Sequence, residues 1–147
     1  MPERIRGAGL SEKAYASGEG LVEFLDLMRV MRERCVWKSS QTHQSLARYL
    51  REESEEVLEA IDEGDPEHLQ EELGDLLLQV YFHAAIAEEA GHFTMDDVIA
   101  GITEKMKRRN PHVFGPEADS GRRYTLEEVE ELYQAAKAAE KSRPGSS

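Results

Sequence analysis

The chain has 147 residues, 39% of them apolar, enough for one packed domain and too few for two. Thirty acids against 18 Lys and Arg leave a net charge of −12, which argues against nucleic-acid polymers as partners because a phosphate backbone needs an electropositive footprint. No apolar run approaches the roughly 20 residues of a membrane span or forms a secretory signal, and the single Cys35 excludes a disulfide framework, so a cytoplasmic protein is expected.

Residues 1–20 are rich in Gly, Ala, Ser and charge without periodicity, and read as a flexible N-terminal segment. Apolar residues at 21, 24, 25, 28 and 31 predict a first helix from Leu21 to about Arg34. An irregular connection over Cys35 to Gln41 follows, and Thr42 then caps a second helix reaching about Glu63. The stretch Asp62-Glu63-Gly64-Asp65-Pro66 supplies a turn, and Pro66 suits the first turn of a third helix that Gly91 stops. Thr94 with Asp96 and Asp97 opens a fourth helix to about Arg109, ended by Pro111. Thr125-Leu126-Glu127-Glu128 has the capping-box form and starts a last helix to about Lys141, after which residues 141–147 read as a disordered tail. No alternating pattern demands a sheet, so an all-α bundle of four to five helices over residues 21–140 is predicted.

The second and third helices nearly repeat each other. Leu50-Arg51-Glu52-Glu53-Ser54-Glu55-Glu56-Val57-Leu58 is echoed by Leu69-Gln70-Glu71-Glu72-Leu73-Gly74-Asp75-Leu76-Leu77, so each copy sets two carboxylates three residues apart. At about 100° per residue, Glu53 and Glu56 lie about 60° and 120° from Leu50, and Glu72 and Asp75 hold the same angles to Leu69. The apolar stripe predicted beside them runs through Leu46, Leu50, Val57 and Ile61 on one helix and Leu69, Leu73, Leu76, Val80, His83 and Ala87 on the other. Leu78, Tyr81, Phe82 and Ile86 fall off that stripe and require cover from a partner subunit. Folded as an antiparallel hairpin, the chain brings the four acids to matched heights, and an oxygen-only set of this kind favours Mg²⁺ or Mn²⁺ over zinc.

Glu52-Glu53-x-x-Glu56 followed by Glu72-Leu73-Gly74-Asp75 is similar to the EExxE and ExxD pair of the all-α nucleoside triphosphate pyrophosphohydrolases. Gln41-Thr42-His43-x-Ser45-Leu46, Glu71 to Val80, Phe82-His83-Ala84 and Arg108 to Gly115 resemble blocks of the MazG branch, in the same order. The resemblance implies a homodimeric helical enzyme that hydrolyses a nucleoside triphosphate to the monophosphate and pyrophosphate with Mg²⁺, Mn²⁺ being a possible substitute, in nucleotide-pool house-cleaning. Carried over by position, the metal ligands are Glu53, Glu56, Glu72 and Asp75, with Glu52 and Glu71 as candidates for orienting the attacking water. Lys105 and Arg109 match phosphate-binding positions, Tyr133 and Lys137 fall where relatives have Trp and Lys near the nucleotide, and Trp37 is a candidate for the pocket wall.

The chain departs from that pattern at Cys35-Val36-Trp37-Lys38, which stands for Cys-Pro-Trp-Asp, and at Asn110, which replaces a His. Three other readings are open. One is a binding or regulatory module without chemistry, and another a deoxynucleotide-selective or phosphoribosyl-ATP pyrophosphatase. The third, a di-iron carboxylate bundle, wants Glu-x-x-His motifs that neither Glu53 nor Glu72 supplies. His83 on the helix stripe reads as a packed structural residue, while His43 and His112 are adjacent to loops.

Overall fold

The computed structural model describes residues 18–116 and 118–141. The expected N-terminal segment and C-terminal tail lie largely outside these residues. The described residues hold seven helices and no strand: α1 (Glu19–Arg34), α2 (Val36–Ser39), α3 (His43–Glu63), α4 (Pro66–Glu89), α5 (Met95–Arg109), α6 (Pro111–Phe114) and α7 (Leu126–Lys141). The all-α reading and the five long helices agree with the sequence pattern, α1 beginning two residues earlier than its stripe. The two additions, α2 and α6, have four residues each, too short to carry a helical period.

The described residues divide after Thr94 into two compact units. In the first, α4 packs against both α1 and α3. The start of α3 is held by Thr42, whose side chain accepts from the Ser45 N–H at 3.0 Å while Ser45 Oγ accepts from the Thr42 N–H at 2.8 Å. At the other end Gly64 takes φ +71°, a left-handed conformation that stops α3 at little steric cost. Asp65 then caps α4 by accepting from the Glu67 N–H at 3.0 Å, with Pro66 at the first position. A connection this short forces α3 and α4 to run antiparallel.

The core of this unit consists of Met28, Leu46, Val57, Ala60, Tyr81, Phe82, Ala84, Ala85 and Ala87. Phe24 meets Tyr81 edge to face at 5.0 Å, and Arg29–Glu88 (2.6 Å) and Arg32–Glu89 (2.7 Å) tie α1 to the end of α4. Tyr81 and Phe82, expected to need a partner's cover, are each 2% exposed within the chain. Leu73 and Val80, expected in the core, are instead exposed, as are Leu50 and Ile61 on α3. The reason is rotational. Along α3 the buried residues Leu46, Val57 and Ala60 bracket the angle of Glu53, and along α4 as far as Val80 the buried residues are Glu72 and Gln79, so the two helices face each other along their acid flanks. From Tyr81 to Glu88 α4 is enclosed nearly all round, which is why Tyr81 and Phe82 are covered.

In the second unit α5, α6 and α7 pack against one another. The Thr125 capping box is present, the Glu128 N–H donating to Thr125 Oγ1 at 3.1 Å and the Thr125 N–H to Glu128 Oε1 at 3.4 Å.

Candidate metal centre

The rotation of α3 and α4 brings Glu53, Glu56, Glu72 and Asp75 together, with one carboxylate oxygen from each lying within 4.8 Å of the others. Glu72 is buried, Glu53 and Asp75 are half-buried and Glu56 is exposed, so the group opens to solvent on one side. Glu53 Oε2 and Glu72 Oε2 are buried and have no hydrogen-bond donor. A buried anionic oxygen without a donor is costly, and a hard cation accepting several carboxylate oxygens removes that cost. Burial, then the negative charges of Glu56 and Asp75, push the Glu53 carboxyl above its ordinary value. Burial and the neighbouring Glu56 do the same to Glu72, against an opposing hydrogen bond from His68. The donor set therefore fits a hard divalent cation.

Glu52 and Glu71 are exposed and contribute no oxygen to this group. Each sits about 100° round its helix from Glu53 or Glu72. Trp37, in α2, is half exposed, with its ring edge-on to Tyr49 at 5.8 Å and to Phe82 at 6.5 Å, and Lys38 Nζ lies 5.5 Å from its centroid. His43 and His83 stack at 5.0 Å with Nδ1 atoms 2.7 Å apart, a pair that sequence spacing did not suggest. Burial and then His43 depress the pKa of His83. His112 packs edge to face against Tyr124 at 5.7 Å.

The remaining predicted residues belong to the second unit. Arg109 makes a two-pronged pair with Glu140, Nη2–Oε2 at 2.8 Å and Nε–Oε1 at 3.2 Å, and donates from Nη1 to Tyr133 Oη at 3.1 Å. Arg108 adds a bond to Glu140 Oε1 at 2.7 Å. Hydrogen bonds from Arg109 and Arg108 pull the Glu140 carboxyl down to about 2, and Glu140 in turn raises Arg109. Lys105 is half-buried and Lys137 exposed.

Two residues escaped the sequence reading. His68 bridges Glu63 and Glu72, and its spacing of four from Glu72 was the available signal. Gln79 lies four residues beyond Asp75 and seven beyond Glu72, buried on the same face, and its Oε1 has no donor.

The MazG nucleotide pyrophosphohydrolase domain family matches residues 41–114, which contain α3, α4 and the whole acid group. The chain belongs to this family. It is 54% identical over 97 residues to the nucleoside triphosphate pyrophosphohydrolase/pyrophosphatase MazG of Thermotoga maritima, covering 66% of this chain and 38% of that protein. It is 47% identical over 128 residues to the nucleoside triphosphate pyrophosphohydrolase of Mycobacterium tuberculosis, covering 86% of this chain and 38% of that one. Among solved structures, a MazG-related protein from Thermotoga maritima superposes with a TM-score of 0.66 at 28% identity, over 82% of this chain and 98% of that one. The chain spans between 20% and 50% of the length of the curated MazG-type and uncharacterised relatives it matches. No helix among the described residues is long and apolar enough to cross a membrane.

Proposed function

We propose that this chain is a Mg²⁺-dependent nucleoside triphosphate pyrophosphohydrolase acting on the nucleotide pool of the cytoplasm. Water adds across the anhydride between the α and β phosphates, releasing the monophosphate and pyrophosphate. The observation that carries this reading is the set of four carboxylates within 4.8 Å, inside the family match, with two buried oxygens lacking any donor.

Glu53, Glu56, Glu72 and Asp75 would hold the metal. Bound there, Mg²⁺ or Mn²⁺ would neutralise charge on the phosphates and lower the pKa of coordinated water. The chain's own residues supply the rest. Glu52 and Glu71, at the solvent side of the same helices, are assigned the orientation of the attacking water and the acceptance of its proton. Lys105 and Arg109 are assigned to triphosphate oxygens, Arg109 exchanging Glu140 for phosphate, an equally good partner for its fork. Tyr133, Lys137 and Trp37 are assigned to the nucleoside.

The protein also acts as a homodimer in this reading, through a different surface from the one the sequence suggested. Leu50, Leu58 and Ile61 on α3 and Leu73, Leu77 and Val80 on α4 are exposed. Both rows are rotated in the same sense from the facing acids, so in an antiparallel pair they fall on one side of the hairpin. A continuous apolar row of this kind calls for a covering surface, and a second copy provides one by symmetry.

The experiment is pyrophosphate release across canonical, deoxy and modified triphosphates, with and without Mg²⁺. Turnover that requires the metal and is lost in Glu53→Gln and Asp75→Asn supports the proposal. Nucleotide binding without release supports a regulatory module instead.

A further inference from the structure

His68 stands at the third position of α4 and touches two carboxylates. Its Nδ1 is 2.7 Å from Glu63 Oε2, at the last residue of α3, and its Nε2 is 3.1 Å from Glu72 Oε1, one turn ahead on α4. Glu72 therefore has two unlike oxygens. Oε1 is engaged by the imidazole, whereas Oε2 is buried without a donor, and Glu72 belongs to the group of four acids.

Resting on the metal-centre reading above, we infer that His68 is a positioning residue that holds Glu72 as a one-oxygen metal ligand, with Glu63 fixing the imidazole from the opposite side. A carboxylate on a glutamate stem has three rotatable bonds, and a hydrogen bond to one oxygen selects the rotamer that presents the other. The ring cannot turn away without giving up Glu63, so the α3–α4 turn is linked to the orientation of Glu72. Such outer partners of metal ligands are typically worth about 10- to 100-fold in metal affinity.

The sign of the effect separates positioning from charge. An imidazole acting only as a nearby positive charge opposes cation binding, and its removal tightens the metal; an imidazole that aims Glu72 favours binding, and its removal weakens it.

The test is Mn²⁺ titration, followed by the electron paramagnetic resonance of free Mn²⁺ and by calorimetry, on the full chain and on His68→Ala, His68→Gln and Glu72→Gln. Ala and Gln are both good helix formers, and far-UV circular dichroism of the metal-free variants checks that α4 persists. His68→Ala is expected to weaken Mn²⁺ about 10-fold or more, and His68→Gln, whose amide N–H can donate to Glu72, to recover most of that loss. Unchanged or tighter binding in His68→Ala, or an equal loss in His68→Gln, overturns the inference. If Glu72→Gln loses Mn²⁺ while His68→Ala does not, the positioning role alone falls. If the unaltered chain binds no Mn²⁺, the metal-centre reading falls with it.

Discussion

Glu53 and Glu72 occupy equivalent places on two antiparallel helices, each has one buried carboxylate oxygen with no donor, and each contributes an oxygen to the same group of four acids. Charges in that position oppose folding unless something positive joins them, so the site is built at the expense of the metal-free protein.

A pH dependence follows. Burial raises both carboxyls in the folded state, so the folded chain holds their protons more tightly than the unfolded chain. Stability from these groups is fully present below the ordinary carboxylate value of 4.5 and is lost as pH rises through the raised values. Metal-free protein should therefore melt at a lower temperature at pH 7.5 than at pH about 5.5. Adding Mg²⁺ should reverse that loss at the higher pH and do less at the lower one. Calorimetric scans with and without metal across this range check it, and a melting temperature that rises with pH in the metal-free protein contradicts it.

The same physics predicts a trade between stability and activity at one residue. Glu53→Gln removes a buried charge from the acid group, so the metal-free variant should melt above the unaltered chain at pH 7.5, gain little from Mg²⁺, and lose turnover by roughly 10²–10³-fold. Thermal melts and pyrophosphate release on the same preparation test both halves.

Glu140 behaves oppositely. Its carboxyl is lowered to about 2 by hydrogen bonds from Arg109 and Arg108, so its contribution to stability is present above 4.5 and is lost as pH falls towards 2. Glu140→Gln should lower the melting temperature at neutral pH, and the gap from the unaltered chain should close in acid. If Arg109 exchanges Glu140 for phosphate, the variant should also show a lower KM for nucleotide, because the guanidinium no longer has to leave a carboxylate. A higher KM counts against that exchange.

The apolar row on the hairpin gives a prediction of assembly. Leu73→Asp and Leu77→Asp place charge on exposed positions, so they should leave helicity intact while shifting sedimentation from dimer to monomer. Monomeric behaviour of the unaltered chain at micromolar concentration contradicts the dimer.

The long helices and the four acids were legible because both are periodic. A spacing of three on each helix, with a Gly-Asp-Pro turn between, sets Glu56 and Asp75 near one height, with Glu53 and Glu72 about one helical step on either side. Which way each helix turns was not legible. Leu73 and Val80 are as apolar as Tyr81 and Phe82, and only the rotation of α4 against α1 and α3 decides that the first pair is exposed and the second buried. The four-residue helices α2 and α6 are shorter than two turns and leave no period to find. Partnerships far apart in sequence, such as Arg109 with Glu140 and His43 with His83, depend on tertiary packing that no local spacing encodes. Glu52 and Glu71 passed the family pattern, yet their exposed positions differ from those of the four grouped acids.

The most direct test of the central claim is the rate of pyrophosphate release from nucleoside triphosphates by the unaltered chain and by Asp75→Asn, measured while Mg²⁺ is titrated from zero. The account predicts turnover that appears only with the metal and falls by roughly 10²–10³-fold in the variant, whose helical circular dichroism is unchanged. Equal turnover by both proteins, or release that persists in full without a divalent cation, contradicts it.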